Sequence, residues 1–167
     1  MKAISRAAAA ATCGLSFALA AGIPVVDAAE PDVQLHDDAD GHDWPAFGRT
    51  YGEQHYSPLT GINAGNVGRL GLAWSLDLPA GNMVTGPVVV DGVIYLATGY
   101  SVVRAVDAAS GRLLWTYDPK APEAAGRKMR FNWGSRGLAW WNGKVYVGTD
   151  DGRLIAIDAK SGRPVWS

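Results

Sequence analysis

The feature that most limits how this chain can fold is an internal repeat with a spacing of 51 residues. Residues 92–115 align with residues 143–166 without a gap, and ten of the aligned positions are identical. Each copy contains short β-rich runs separated by Gly-containing turns. A repeat of about fifty residues made of such runs is typical of the four-stranded blades of a β-propeller. The repeat therefore predicts an all-β fold with two blades, at about 87–117 and 137–167.

Turn residues at equivalent places divide each copy into four strands. Asp91-Gly92 and Asn142-Gly143 favour type I′ hairpins, because both central residues of that turn need positive φ. Gly111 and Gly162 are expected to supply a left-handed residue in a later turn, where the preceding Asp side chain can bind backbone amides. The predicted strands are Val88–Val90, Val93–Thr98 and Val102–Asp107 in the first copy, and Leu138–Trp141, Lys144–Thr149 and Arg153–Asp158 in the second, each followed by a short fourth strand.

A Trp closes each copy, at Trp115 and Trp166. We expect this indole to pack between adjacent sheets and to donate its N–H to a neighbouring backbone carbonyl. An ordinary core position is the alternative interpretation. Leu70–Trp74 has the pattern of another fourth strand, with no sister strands before it. Because a propeller closes with roughly four to eight blades, we expect the chain to be an N-terminal fragment that is inactive alone.

The first 29 residues have the pattern of a secretory leader. Lys2 and Arg6 precede an Ala-rich apolar run, and the only cysteine, Cys13, lies within that run. A membrane anchor is the alternative. We predict a signal peptide over 1–29, a flexible acidic segment over 30–42 and a partial propeller over 43–167, located in the periplasm. The net charge of −1 gives no indication of nucleic-acid binding.

Motifs at the start of the predicted propeller carry a family resemblance. Asp43–Arg49 reads DWPAFGR and Gln54–Leu59 reads QHYSPL, and both blades share Ala-x-Asp-Ala-x-Ser-Gly-x-x-x-Trp. The chain resembles, from about Asp43 to Ser167, the quinoprotein alcohol dehydrogenases that use pyrroloquinoline quinone (PQQ). The resemblance implies an eight-bladed propeller with PQQ near its axis and a Ca²⁺ or lanthanide ion that polarises it. It also implies an alcohol substrate and a cytochrome c or quinone as electron acceptor.

Arg136 is the one residue that the resemblance assigns to cofactor binding. It follows Phe131-Asn132-Trp133-Gly134-Ser135, where the family has an Arg that binds a PQQ carboxylate or carbonyl. A planar guanidinium suits a polyanionic quinone because it offers paired, charge-assisted hydrogen bonds. A structural ion pair at the blade edge is the alternative role for Arg136.

Two positions depart from the family pattern. Arg130 and Phe131 stand where the family has adjacent cysteines that form a disulfide over PQQ, and Val84 stands where the methanol enzymes have a PQQ-contacting Glu. Phe131 or Trp133 is a candidate to stack on the quinone, and a core role fits both aromatics equally well. The substrate is therefore not assigned to methanol or ethanol.

Other polar residues carry no firm assignment. The catalytic carboxylate and the metal ligands are expected beyond residue 167, because the family takes them from later blades. His36, His42 and His55 occur with Asp37, Asp38, Asp40 and Asp43, without a spacing that indicates a metal site. Trp44, Phe47, Tyr51 and Tyr56 are predicted to hold the N-terminal segment against the propeller. A non-catalytic PQQ-like propeller that binds proteins in the cell envelope is the alternative function, and a vestigial reading frame is a third.

Overall fold

The residues that the structure describes contain two four-stranded antiparallel sheets. The structure, a computed structural model, describes residues 35–36, 39–79, 85–128 and 136–167. The strands are β1 Val88–Val90, β2 Val93–Thr98, β3 Val102–Asp107, β4 Leu113–Tyr117, β5 Ala139–Trp141, β6 Lys144–Gly148, β7 Leu154–Asp158 and β8 Pro164–Trp166. We call the sheet β1-β2-β3-β4 blade 1 and the sheet β5-β6-β7-β8 blade 2. The connecting elements are helix α1 Ala121–Ala125 and three 3₁₀ turns at Val67–Arg69, Gly99–Ser101 and Gly126–Lys128.

The tight turns confirm the hairpins predicted from sequence. Asp91 and Gly92 have φ of 51° and 72°, and Asn142 and Gly143 have φ of 46° and 70°. Both pairs join strands across two residues, since Val90 pairs with Val93 and Trp141 with Lys144. The observed bounds of β1, β2 and β3 are those predicted from sequence. In blade 2, β5, β6 and β7 are each one residue shorter than predicted, because Leu138, Thr149 and Arg153 respectively lie outside them.

The turn before each blade-closing Trp also repeats. Asp107 Oδ1 accepts hydrogen bonds from the N–H and hydroxyl of Ser110, at 2.8 and 2.6 Å, and Asp158 receives the same two bonds from Ser161. Gly111 and Gly162 follow with φ of 72° and 69°, as predicted. A bulge interrupts the pairing at the same place in both blades, between Ala105 and Val106 and between Ala156 and Ile157.

Trp115 joins the two blades, whereas Trp166 at the end of blade 2 is 46% exposed. Trp115 Nε1 of blade 1 donates to Ala159 O of blade 2 at 2.9 Å. Its ring packs against Gly162, where a Cβ would lie 2.7 Å from Trp115 Cδ2. Trp115 also contacts Tyr95, with ring centroids 5.9 Å apart. The indole therefore docks between the sheets, as predicted, rather than filling the interior of its own blade.

One apolar core spans both blades. Alternate β-branched residues of the inner strands are fully buried, as expected for pleated sheets that pack face to face. The residues with no exposed surface include Val88, Val90, Val103, Ala105, Val145, Val147, Ile155 and Ile157. Because the burial of a Val or Ile side chain contributes about 1.5–3 kcal/mol, this shared core and the docked Trp115 hold the two blades together.

The segment that contains Leu70–Trp74 differs from its prediction. It forms no strand within the described residues, because no neighbouring strand lies beside it to complete a ladder. Its Trp74 nevertheless docks as Trp115 does. Trp74 Nε1 donates to Ala108 O at 3.0 Å, and a Cβ on Gly111 would lie 2.5 Å from Trp74 Cδ2. The docking site on a blade is thus made by its own Asp-Ala-x-Ser-Gly turn.

The N-terminal segment covers the free edge of β1. Trp44 forms an antiparallel bridge with Val89, with N–O distances of 2.7 and 2.8 Å, and Asp43 Oδ1 accepts the N–H of Asp91. This bridge occupies backbone groups that would otherwise be unpaired on an inner strand. Tyr51 and Tyr56 are 64% and 63% exposed. The ring of Tyr51 contacts that of His36, with centroids 6.2 Å apart, and within the described residues neither tyrosine is buried against a blade as predicted.

The predicted secretory leader lies outside the described residues, as do Asp37 and Asp38. Two residues on either side of this gap bind the following segment through their backbone oxygens. Leu35 O accepts a hydrogen bond from Tyr51 N–H at 2.8 Å, and Ala39 O accepts one from Arg49 Nη1 at 3.3 Å. Among the described residues, no helix has the length and hydropathy of a membrane span.

Candidate functional site

The two blades place their connecting segments at one end of the sheets, which we call the linker end. It contains the residues that lead into β1 and β5 (85–87 and 136–138), the turns at 99–101 and 149–153, and residues 118–128 after β4. The opposite end, the hairpin end, carries Asp91-Gly92 and Asn142-Gly143. Since consecutive strands of an antiparallel meander reverse direction, β1 and β5 both start at the linker end.

Arg136 lies at the linker end, in contact with the residues that lead into β1. A Cβ built on Gly86 would lie 3.1 Å from Arg136 O and 2.9 Å from Phe47 Cδ2. Gly86 therefore fills a narrow gap between the backbone of blade 2 and the ring of Phe47. His55 approaches that ring edge-on, with centroids 5.0 Å apart and an interplanar angle of 86°. We call Phe47, His55, Gly86 and Arg136 the Arg136 cluster.

The Arg136 side chain is exposed. Within the part of the chain that the structure describes, its guanidinium makes no hydrogen bond or ion pair. Arg136 therefore forms no structural ion pair, its alternative role, with any of these residues. Phe47 is 62% exposed, and its ring lies across Gly86 from the backbone oxygen of Arg136. A planar anion is the class of ligand that an exposed guanidinium without a partner among the described residues can bind.

Several residues of interest from sequence lie outside the described ranges. These are Val84, Arg130, Phe131 and Trp133. The sequence did not indicate that Gly86 and Phe47 are neighbours of Arg136, because the three residues belong to segments that are 39 or more residues apart from one another. Gly86 stands directly before Pro87 and two residues before the start of β1. A glycine at this place is a weak signal for a close backbone approach.

Other groups in the described residues form no comparable site. No three His, Cys, Asp or Glu side chains converge in a way that could hold a metal ion within residues 35–36, 39–79, 85–128 and 136–167. A cavity of about 560 Å³ lies between the blades at the hairpin end, with Trp115, Trp140 and Lys144 among its lining residues. Trp140 Nε1 is buried without a hydrogen-bond partner there. This cavity is at the opposite end of the sheets from Arg136.

Comparisons with known proteins agree with this architecture. A family model described as the β-propeller domain of glucose, ethanol and alcohol dehydrogenases, named for PQQ, matches residues 44–167. The dehydrogenase subunit of the quinone alcohol dehydrogenase of Gluconobacter oxydans (strain 621H) is 48% identical over 161 residues, which cover 93% of this chain and 21% of that protein.

Solved structures show the same similarity in three dimensions. The quinohemoprotein alcohol dehydrogenase of Comamonas testosteroni aligns with a TM-score of 0.69 and 50% identity, over 77% of this chain and 19% of that one. A europium-containing methanol dehydrogenase aligns with a TM-score of 0.63 and 35% identity, over 74% and 22%.

The match thus spans about a fifth of the length of these relatives. It includes both blades, the docked tryptophans and the Arg136 cluster. Since the family model covers residues 44–167 and the identity to relatives is near one half, the chain belongs to the PQQ-dependent alcohol dehydrogenase family of β-propellers.

Proposed function

We propose that this chain forms the first two blades of a PQQ-dependent dehydrogenase that oxidises an alcohol. The named relatives support this proposal: they are quinone, quinohemoprotein and methanol dehydrogenases, and one is a 1-butanol dehydrogenase described as acting with cytochrome c. PQQ, when bound, accepts the two electrons removed from the alcohol. Those electrons then pass to a cytochrome c or a quinone. The range of alcohols in the names of the relatives leaves the chain length of the substrate open.

Arg136 is the residue that we propose to bind PQQ. Its exposed guanidinium, unpaired within the described residues, carries the proposal. A carboxylate or carbonyl of the cofactor would give it the paired hydrogen bonds that its planar group favours. The backbone of Arg136 is held against Gly86, so the base of the side chain has a defined position before the ligand arrives.

We further propose that a Ca²⁺ or lanthanide ion accompanies PQQ. The europium in one similar structure supports this class of ion for the family, and hard cations of this kind prefer oxygen ligands. The described residues offer no converging set of three acidic or His side chains. No ligand and no catalytic base is therefore assigned to a residue of this chain.

We propose a periplasmic location, with residues 1–29 as the signal peptide. The support is the order of a short basic start, an apolar run and small residues near Ala28, which is the pattern that a signal peptidase reads. Edman sequencing or mass spectrometry of the protein from a periplasmic extract tests this proposal. A mature N-terminus near Ala29 or Glu30 supports it, whereas an intact Met1 contradicts it.

The test of Arg136 is a cofactor titration with the longest polypeptide that the gene encodes. Arg136→Ala should weaken PQQ binding about tenfold to a hundredfold, since a hydrogen bond to a charged group contributes about 1.5–3 kcal/mol. Arg136→Lys should recover part of this loss, because it restores the charge without the planar fork. Intrinsic Trp fluorescence gives Kd, and dye reduction with an alcohol gives the activity.

Arg163→Ala is the matched control. Arg163 is an exposed arginine of the same blade, in the turn at the hairpin end. It should leave Kd and turnover unchanged. Equal Kd values for Arg136→Ala and the wild type would rule out the cofactor role. A wild-type protein that binds neither PQQ nor alcohol would favour the non-catalytic scaffold.

A further inference from the structure

The turn between β6 and β7 departs from the 51-residue repeat at the linker end. Blade 2 has Asp151 and Arg153 in this turn, whereas the equivalent positions of blade 1 are Tyr100 and Val102. The two turns share Thr149 and its counterpart Thr98, whereas Asp150 and Gly152 stand where blade 1 has Gly99 and Ser101. Thr149 and its counterpart Thr98 each donate their hydroxyl to the carbonyl four residues later, at 3.1 and 3.2 Å. The acid–base pair is therefore an addition to a turn whose Thr hydroxyl bond is shared, and Asp151 also accepts a hydrogen bond from Thr149 within that turn.

Asp151 and Arg153 form a largely buried ion pair. Arg153 Nε lies 2.6 Å from Asp151 Oδ2, and the Asp151 side chain is only 4% exposed while that of Arg153 is 35% exposed. Burial opposes ionisation of Asp151, but hydrogen bonds from Thr149 and Arg153 together hold the pKa of its carboxyl below its ordinary value. The carboxylate is thus charged and fixes the orientation of the guanidinium.

The fixed guanidinium reaches a different part of the chain. Arg153 Nη2 donates to Pro119 O at 2.7 Å, two residues after the end of β4. Arg153 therefore joins the second blade to the segment that leaves the first. A second bond between the blades is close by: the N–H of Asp150 donates to Ser101 Oγ at 3.1 Å. We call the Asp151–Arg153–Pro119 contact the linker clamp.

The linker clamp lies at the same end of blade 2 as Arg136. In the β5–β6 ladder Ala139, the first residue of β5, pairs with Tyr146, so the residues that lead into β5 and the turn that follows β6 lie at the same end of the sheet. Thr149 is the residue that holds Asp151. The turn that carries the linker clamp is thus next to the start of β5, from which the guanidinium of Arg136 projects.

We propose that Arg153 is a positioning residue for the cofactor site: it anchors residues 118–128 and the β6–β7 turn, so that the backbone at the start of β5 presents Arg136 to an anionic cofactor from a fixed position. This inference rests on the proposed function of Arg136. Preorganisation of this kind increases affinity because less motion is lost on binding. Arg153 itself does not touch the ligand.

The first test concerns anchoring alone and needs no cofactor. Trypsin can cut after Lys120, Arg127 and Lys128, all of which are exposed. Arg153→Lys keeps the charge next to Asp151 and the number of trypsin sites. A single ammonium group, however, cannot replace both the Nε that binds Asp151 and the Nη2 that binds Pro119 O. We expect cleavage at these three sites to become about tenfold faster, since proteolysis follows the open fraction of a segment. Arg163→Lys, at the hairpin end, should not change it.

The second test separates positioning from general stability by a double-variant cycle. Arg153→Lys alone should weaken PQQ binding about tenfold in the longest polypeptide that the gene encodes. In the Arg136→Ala background, the same substitution should leave the Kd of PQQ unchanged, because it acts through Arg136. A structural role independent of Arg136 would lower affinity by the same factor in both backgrounds, and that result would overturn the proposal.

The outcomes also separate this inference from the proposed function. If trypsin cuts the Arg153→Lys and Arg163→Lys variants at equal rates, the anchoring is wrong whatever PQQ does. If cleavage accelerates but the PQQ affinity of Arg153→Lys equals that of the wild type, the positioning role is wrong. If Arg136→Ala has no effect on PQQ binding, the proposed function of Arg136 fails, and the proteolysis result still decides whether the linker clamp anchors residues 118–128.

Discussion

Replacement of Gly162 by Ala is the sharpest perturbation of the contact between the two blades. A Cβ at this position would lie 2.7, 2.8 and 2.9 Å from Trp115 Cδ2, Cγ and Cε3. These atoms belong to a ring, so they can move only together. A shift of the ring lengthens the 2.9 Å hydrogen bond from Trp115 Nε1 to Ala159 O and disturbs the contact with Tyr95.

Gly143 provides a matched control in the same blade. Gly143 has φ of 70° and Gly162 has φ of 69°, so an Ala suffers the same backbone strain at both positions. Nothing lies within 4 Å of a Cβ at Gly143. An Ala in the left-handed region costs about 1–2 kcal/mol, partly offset by about 0.4–1 kcal/mol from the stiffer unfolded chain. Gly143→Ala should therefore lower the free energy of unfolding by about 1 kcal/mol.

Gly162→Ala adds the loss of indole docking to this strain. A hydrogen bond contributes about 1 kcal/mol and overpacking costs about 1–3 kcal/mol. We therefore expect a total loss of about 3–5 kcal/mol. Urea unfolding monitored by Trp fluorescence gives the global value. Hydrogen exchange of peptides from β4 and from the β7–β8 turn shows whether the loss is local to the blade contact.

A third variant makes the reasoning refutable. In a Trp115→Ala background the space next to Gly162 is open, so Gly162→Ala should cost no more than Gly143→Ala does. If Gly162→Ala and Gly143→Ala destabilise the wild-type protein equally, the close approach of Trp115 does not contribute to stability, and the docking argument is wrong.

Two acidic residues give opposite predictions for pH dependence. The hydroxyl and N–H of Ser161 hold the pKa of Asp158 below its ordinary value, so its carboxylate stabilises the fold at neutral pH, and this contribution is lost as pH falls through the depressed folded pKa. Asp158→Asn should therefore lower the urea midpoint at pH 6 and flatten its decline towards pH 3; an unchanged slope would contradict this. Burial raises the pKa of Asp150 despite its hydrogen bond with Ser101, so its charge is destabilising above that pKa. Asp150→Asn should raise the urea midpoint at pH 7 and lose this gain below about pH 4; a gain that persists at pH 3 would show that charge is not the cause.

Much of the blade could be predicted because its signals are local. Asp91-Gly92 and Asn142-Gly143 specify two-residue turns, and β-branched residues on both sides specify the strands that the turns connect. The recurrence of Trp115 and Trp166 at the same spacing indicated docking before any contact was known. Leu70–Trp74 forms no strand within the described residues for the complementary reason, since a strand needs a neighbour and the sequence of one segment does not provide it.

The cofactor site could be predicted only in part. Arg136 was found through its place in a family motif, which marks a position but not its surroundings. The fold brought Gly86 and Phe47, which precede Arg136 by 50 and 89 residues in the sequence, next to its backbone. The linker clamp had a visible signal, the acid and base that break the repeat at Asp151 and Arg153, but its partner is the backbone carbonyl of Pro119, which no side-chain pattern reveals.

The sequence by itself determined the β-meander, its turns and the tryptophans that close each blade, because these depend on the conformational preferences of residues that are neighbours in the chain. Only the tertiary structure decided which backbone each indole meets, which segments surround Arg136 and where Arg153 points. Those contacts form when two blades pack face to face, and the geometry of that packing is set by the buried surfaces of both blades together.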